Sequence, residues 1–253
     1  MNVVVDGLMS SYQKVGKGPV VVCLPGWGDT GASFSKLAEK LQAKYTILSL
    51  DLPGFGGTQA PPNGWGLKDY ANFVSEWLKK LDVKSAHAVI GHSYGGAVAI
   101  YGLGDRDFTT DKLILLASAG IRNKRSTRKK ILKVAAKVAK GPLYLLPAHK
   151  RRKLRNKFYG AIGSDLTLLP HMELTFKRII GEDVQTKARG LKLPTLLIYG
   201  NKDKDTPIAD ARKLATAIPS AKLAIIDGGH FLHQEQADET ANLILEFLGQ
   251  KSD

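Results

Sequence analysis

The sequence is poor in cysteine and has no long apolar run. Its 253 residues include one cysteine, Cys23, which excludes an intramolecular disulfide and a cysteine-rich zinc site and is typical of a reducing compartment. No apolar run reaches the roughly 18 residues that a membrane-spanning helix needs. The first residues lack the basic and apolar regions of a signal peptide. We therefore expect a cytoplasmic protein with one α/β domain that builds its own core.

Acidic side chains are missing from one long stretch. Between Ile121 and Lys157 the chain has fifteen lysines and arginines and no aspartate or glutamate, while the rest of the chain is nearly balanced. The net charge of +14 is therefore a local property. This stretch is interpreted either as a solvated outer face or as a patch that attracts an anionic substrate or membrane surface. Few aromatic residues stand between the charges, which disfavours nucleic acid as a partner.

Apolar runs alternate with helical patterns in both parts of the chain that flank this stretch. Helices are predicted between and after the runs at 33–43, 67–81, 208–217 and roughly 235–248. This alternation predicts a mostly parallel central sheet flanked by helices on both faces, preceded by a hairpin. Strands are predicted at 3–5, 12–15, 20–24, 45–50, 86–90, 112–117, 194–200 and 221–226.

The alternation stops for about seventy residues after Gly120. We therefore predict a core formed by residues 1–120 and 191–253, with an all-helical, basic cap inserted late in the chain at 121–190. Helices are predicted within the cap at 129–140, at 147–159 and after Pro170. Because sites in parallel sheets form where the strands end, such an insertion should cover the rim that carries the functional residues.

One short motif on this rim predicts a nucleophile. The sequence Gly91-His92-Ser93-Tyr94-Gly95 lies between a predicted buried strand and a predicted helix. A serine on such a sharp turn adopts strained backbone angles that expose its Oγ above the sheet. The alternative interpretation is a glycine-rich turn with an ordinary exposed serine.

An activated serine needs a base and an acid that orients the base. His230 follows the last predicted strand and Asp203 follows the strand before it, so both should lie on the same rim as Ser93. The order serine, aspartate, histidine is one of the known chain orders of such a triad. Asp205 competes with Asp203 for the role of the acid, and His92 is interpreted as structural.

Four motifs together resemble the α/β-hydrolase fold superfamily, in its capped single-domain esterase branch. They are Asp51-Leu52-Pro53-Gly54-Phe55-Gly56, Gly91-His92-Ser93-Tyr94-Gly95-Gly96, Gly200-Asn201-Lys202-Asp203 with Pro207, and Gly229-His230-Phe231-Leu232-His233-Gln234-Glu235. The resemblance implies that Ser93 is the nucleophile, His230 the base and Asp203 the acid. It also implies an oxyanion hole formed by the backbone N–H groups of Trp27 and Tyr94, although Pro25 stands where the family usually has histidine.

We therefore predict a serine hydrolase that cleaves a small-molecule carboxylic ester or thioester through an acyl-enzyme, without a cofactor and without a metal. A carbon–carbon bond hydrolase or a cofactor-free perhydrolase would use the same triad. A ligand-binding member of the fold with little turnover is the alternative of another class. Dehalogenases and epoxide hydrolases of this fold have an aspartate in place of Ser93, which disfavours both.

Overall fold

The computed structural model describes residues 1–122 and 170–250, and an eight-stranded sheet lies at its centre. The strands are β1 (Asn2–Val5), β2 (Leu8–Val15), β3 (Val20–Leu24), β4 (Thr46–Leu50), β5 (Ala86–His92), β6 (Thr110–Leu116), β7 (Thr195–Gly200) and β8 (Ala221–Ile226). Their spatial order is β1-β2-β4-β3-β5-β6-β7-β8. β2 pairs antiparallel with β1 and β4, and the other neighbours are parallel.

Helices connect the parallel strands. They are α1 (Ser35–Leu41), α2 (Leu67–Lys80), α3 (Tyr94–Asp105), α4 (Glu173–Ile179), α5 (Gln185–Arg189), α6 (Ile208–Ala217), α7 (Leu232–Glu235) and α8 (Ala237–Gly249). Short 3-10 turns at Gly31–Phe34 and Pro170–Met172 precede α1 and α4.

The apolar strands are buried on both faces of the sheet. In β3, Val22 and Leu24 pack into one core cluster with α2 and α3, whereas Val21 and Cys23 pack into a second cluster with α1 and α8. Each fully buried aliphatic side chain contributes roughly 1.5–3 kcal/mol. A strand covered on both sides cannot alternate polar with apolar residues, which explains the continuous runs in the sequence. The predicted fold class is confirmed.

Element boundaries differ from the predictions where local geometry is irregular. The helix predicted from Ser33 to Ala43 begins as a 3-10 turn, and α1 itself covers Ser35–Leu41. The final helix, predicted at roughly 235–248, is α8 at Ala237–Gly249. Gln236, with a φ of −126° and a ψ of 47°, separates it from the short helix α7, which was not predicted. The five-residue helix α5 was not predicted, since it is too short to show a periodic pattern.

Most of the predicted cap lies outside the described residues. The helices predicted at 129–140 and 147–159, and nearly all of the basic stretch, fall there, so these features and the division into core and cap stay predictions. Within the described residues, no helix combines the length and the apolar character that crossing a membrane requires. The cellular location stays a prediction.

A buried lysine joins the sheet to the last helix. Lys112 is 3% exposed and is the third residue of β6, directly before the apolar run of that strand. Its Nζ donates hydrogen bonds to the carbonyl oxygens of Phe247 and Leu248, at 3.0 and 2.9 Å, and also to that of Gln250. The carbonyl groups at a helix C-terminus have no partners within the helix and carry partial negative charge. Lys112 therefore caps α8 from within the sheet.

Replacing Lys112 with methionine tests this cap. Lys112→Met keeps an unbranched apolar stem but removes all three hydrogen bonds, so we expect the free energy of unfolding to fall by about 2–3 kcal/mol. Urea denaturation followed by circular dichroism measures the change. Lys222→Met is the matched control, because Lys222 is exposed and donates a hydrogen bond to the side chain of Gln250 at 3.0 Å. Equal effects of the two substitutions would contradict the proposed cap.

Candidate active site

Ser93 lies on a strained turn between β5 and α3. Its φ of 49° and ψ of −114° are unfavourable for a residue with a side chain. The turn brings backbone segments so close that a Cβ on Gly91 would lie 2.5 Å from the Cα of Gly96. A Cβ on Gly95 would lie 2.1 Å from the carbonyl oxygen of Leu24. The glycines of the motif are therefore required by these close contacts.

The loops that follow β7 and β8 are hydrogen bonded to each other. The N–H of Asn201 donates to the carbonyl of Ile226, and the N–H of Lys202 donates to that of Gly228, both at 2.9 Å. The carboxylate of Glu235 accepts the N–H of Gly229 at 2.8 Å. These bonds hold the residues that follow each strand side by side. They thereby place Asp203 next to His230.

The structure brings three predicted site residues into direct contact. His230 Nε2 lies 3.0 Å from Ser93 Oγ, and His230 Nδ1 lies 2.8 Å from Asp203 Oδ2. Asp203 is 8% exposed, whereas Asp205 is exposed and contributes its backbone N–H to Asp203 Oδ1 at 2.7 Å. The carboxylate hydrogen bonded to His230 is therefore that of Asp203. Such a chain of contacts can carry a proton from a hydroxyl to an imidazole whose orientation a carboxylate fixes.

Asp203 is held in its ionised form. Burial raises the pKa of this carboxyl, but hydrogen bonds from His230 and Thr206 outweigh burial and lower the pKa from 3.8 to about 2. The backbone N–H of Thr206 donates to Asp203 Oδ1 at 3.0 Å. A carboxylate that stays charged can both accept a hydrogen bond from the imidazole and stabilise the imidazolium.

Thr206 is a neighbour of this carboxylate that the sequence analysis missed. Its Oγ1 lies 2.6 Å from Asp203 Oδ2 and 3.0 Å from the carbonyl oxygen of Ala117. A hydroxyl has one proton, so it can donate to only one of these acceptors at a time. The shorter distance and the negative charge favour Asp203. The hydroxyl therefore helps to hold the acid in place. Its only signal in the sequence was a threonine before Pro207.

We expect the Thr206 hydroxyl to matter for turnover. Thr206→Val keeps the shape of the side chain and removes the donor, so kcat/KM for an ester substrate should fall about tenfold, which corresponds to one charge-assisted hydrogen bond. Thr206→Ser keeps the hydroxyl and should stay within about threefold of the wild type. Steady-state kinetics of folded variants measure both. A serine variant as slow as the valine variant would show that the methyl group matters instead.

Stability at acid pH tests the ionisation of Asp203. Because the pKa of Asp203 is lower in the folded protein than in the unfolded chain, its contribution is complete above about pH 4 and is lost as the pH falls toward 2. The loss should amount to about 2 kcal/mol. Asp203→Asn should remove this part of the pH dependence, as measured by urea denaturation between pH 5 and 2. The same decline in both proteins would contradict the assignment.

The two predicted oxyanion donors lie beside the serine. Tyr94 opens α3, directly after Ser93, and Trp27 follows β3. Among the described residues, no backbone carbonyl accepts a hydrogen bond from the main-chain N–H of Trp27 or Tyr94. The Trp27 ring lies between those of Phe55, Tyr94 and Phe176, with centroids 4.9, 5.6 and 5.4 Å away. These aromatic contacts hold the loop where the family's usual histidine is absent.

His92 and His233 lie directly behind His230. His92 Nε2 is 3.0 Å from the carbonyl oxygen of His230, and the rings of His92 and His233 are 4.4 Å apart. Burial lowers the pKa of His92 well below its ordinary value and that of His233 to about 4. Both side chains are therefore neutral. The sequence predicted a structural role for His92 but not its contact with His230.

Comparison with known proteins connects this geometry to one family. Residues 21–243 match the model of the alpha/beta hydrolase family. The chain is 28% identical over 270 residues to the magnesium-chelatase 30 kDa subunit of Rhodobacter capsulatus, covering 91% of this chain and 87% of that protein. It is 27% identical over 229 residues to the pimeloyl-[acyl-carrier protein] methyl ester esterase of Chromobacterium violaceum, covering 83% and 86%.

A solved structure extends the likeness to nearly the whole fold. The enol-lactonase of Burkholderia xenovorans LB400 superposes with a TM-score of 0.77 and 20% identity, covering 99% of this chain and 100% of that one. At this level of identity the structural match supports the fold.

Proposed function

Because this chain is a hydrolase of the alpha/beta hydrolase family, we propose that it cleaves carboxylic esters, with thioesters as a second substrate class. Ser93 is the nucleophile, His230 the general base and Asp203 the acid that orients it. The observation that carries the proposal is the unbroken series of contacts from Ser93 Oγ through His230 to Asp203, at 3.0 and 2.8 Å.

The reaction begins when His230 Nε2 takes the proton of Ser93 as Oγ attacks the substrate carbonyl. Asp203 keeps Nδ1 protonated, so that Nε2 has the free electron pair. The negative charge that develops on the carbonyl oxygen is stabilised by the main-chain N–H groups of Trp27 and Tyr94. One such donor is worth about 3–4 kcal/mol of the barrier.

The first half of the reaction ends when the imidazolium of His230 gives its proton to the leaving alcohol or thiol and the bond to that group breaks. The carbonyl carbon then stays bound to Ser93 as an acyl-enzyme. The second half repeats these steps with water. Water then loses a proton to His230 and attacks the same carbonyl carbon. The tetrahedral intermediate releases Ser93 Oγ, which recovers the proton from His230, and the free acid leaves.

Two other kinds of function are alternatives to ester hydrolysis. A carbon–carbon bond hydrolase or perhydrolase would need the same triad, so it differs from an esterase in its substrate and not in its site. A ligand-binding protein with little turnover is the other alternative, and the relative named as a magnesium-chelatase subunit makes it worth testing. The contact between Ser93 and His230 favours an enzyme, because a binding site needs no activated hydroxyl.

An anionic substrate or membrane surface is part of the proposal. The stretch 121–157 contains fifteen lysines and arginines and no acidic residue. One relative is named for a substrate attached to acyl-carrier protein. A dense cluster of one charge attracts opposite charge over about 8 Å at physiological salt. We therefore expect the enzyme to favour esters with a negative charge on the part of the substrate remote from the carbonyl.

Replacing the nucleophile tests the proposal. Ser93→Ala removes only the attacking oxygen, so turnover of p-nitrophenyl esters should fall at least about a thousandfold while circular dichroism shows a folded protein. The ester panel should vary in chain length and in charge. Ser35→Ala, an exposed serine at the start of α1, is the control and should keep wild-type activity. Undiminished turnover by Ser93→Ala would overturn the assignment.

A further inference from the structure

Three polar side chains, two buried and one half-buried, meet behind His230, and each has a shielded ligating atom without a hydrogen-bond partner. Asp29, His92 and His233 each offer one nitrogen or oxygen, and these atoms lie within 4.8 Å of one another. Within the described residues, no partner bonds Asp29 Oδ2, His92 Nδ1 or either ring nitrogen of His233, although all four atoms are shielded from solvent. His92 is 1% exposed and His233 is fully buried.

Unpaired polar atoms in such a place need an explanation. Each buried donor or acceptor without a partner costs about 1–3 kcal/mol, and native proteins leave few of them. Here four such atoms belong to three neighbouring side chains that face one another. This arrangement favours a bound ligand that would satisfy several of these four atoms at once.

The hydrogen bonds around the cluster leave the atoms ready to act as ligands. The carbonyl oxygen of His230 can only accept, so the Nε2 of His92 carries the hydrogen and Nδ1 keeps its electron pair. Metal-binding histidines are commonly fixed by the same kind of bond, from the other ring nitrogen to a carbonyl. Asp29 Oδ1 accepts the N–H of Thr30 at 2.8 Å, which orients the carboxylate and leaves Oδ2 unpaired.

Gly26, which has no side chain, leaves space beside His92 Nδ1. A Cβ on Gly26 would lie 3.0 Å from this nitrogen, so any side chain at position 26 would press against it. The imidazole of His233 stacks on the ring of Phe34, and the two ring centroids are 4.9 Å apart. Both histidines are thus backed by packed neighbours, and Asp29 is the most exposed of the three residues.

We propose that Asp29, His92 and His233 bind a divalent transition-metal ion, of which Zn²⁺ is the first candidate. Two imidazole nitrogens and one carboxylate oxygen form a ligand set that Zn²⁺ accepts, at about 2.0–2.2 Å from each atom. Donors around one such ion lie within about 4 Å of each other. The observed limit of 4.8 Å therefore requires only a small contraction. This proposal does not depend on the reaction at Ser93.

A second cluster of the same residue types provides a contrast. The ligating atoms of Asp203, Asp205 and His230 also lie within 4.8 Å of one another. However, both ring nitrogens of His230 and both carboxylate oxygens of Asp203 already take part in hydrogen bonds. An ion at this second cluster would have to break these hydrogen bonds. An ion held by Asp29, His92 and His233 would instead bind atoms that have no hydrogen-bond partner among the described residues.

Metal titration of the full chain tests the site. Protein stripped with a chelator should bind one equivalent of Zn²⁺ by calorimetry, and Co²⁺ in its place should produce visible absorption bands. Asp29→Asn keeps the acceptor for Thr30 but loses the charged ligand, so the Kd for Zn²⁺ should rise at least about a hundredfold. Zn²⁺ should raise the thermal midpoint of the wild type and leave that of Asp29→Asn unchanged. His233→Gln is the second variant, because it removes another of the three ligands and should weaken Zn²⁺ binding in the same way.

Two controls locate the ion. Asp205→Asn and His230→Ala each remove a member of the second cluster, and both should bind Zn²⁺ with wild-type affinity. Loss of binding in His230→Ala with retention in Asp29→Asn would place the ion at the triad and overturn the proposal. Absence of any one-equivalent binding would do the same, as would a crystal structure grown with Zn²⁺ that has only water between these side chains.

Discussion

The backbone strain at Ser93 is the constraint on which the rest of the site depends. A residue with a side chain at φ 49° and ψ −114° persists only when its neighbours enforce that conformation. The neighbours do so by close contact, because Gly91 and Gly95 let α3 approach β5 and β3 within distances that a Cβ would forbid. The strained turn places Ser93 Oγ 3.0 Å from His230 Nε2.

The other two residues reach Ser93 because parallel strands end on one edge. Asp203 follows β7 and His230 follows β8, at the same edge of the sheet where Ser93 follows β5. Hydrogen bonds between the loops after β7 and β8 fix the spacing of Asp203 and His230. Behind these three lie side chains that hold them: Thr206 bonds Asp203, and His92 contacts the carbonyl of His230. Lys112 joins α8 to the sheet through hydrogen bonds to carbonyl groups at the end of that helix.

Sequence reasoning could predict the parts of this arrangement that leave a periodic or motif signal. The apolar strands, the turn at Ser93 and the placement of Asp203 and His230 on one rim all follow from patterns that parallel sheets impose. The preference for Asp203 over Asp205 rested on resemblance, and its contact with His230 comes only from the fold. The contacts of Thr206, Asp29 and His233 could not be predicted, because single polar residues become informative only when tertiary structure shows their partners. Lys112 even contradicts the usual pattern of a buried strand.

Active-site labelling is the decisive test of whether Ser93 is a nucleophile activated by His230. A fluorophosphonate probe reacts with activated serines and forms a covalent adduct that peptide mapping by mass spectrometry can locate. We expect the full chain to be labelled at Ser93 and His230→Ala to be labelled far more slowly. A wild-type enzyme that hydrolyses esters yet is labelled at another serine, or nowhere, would contradict this role of Ser93.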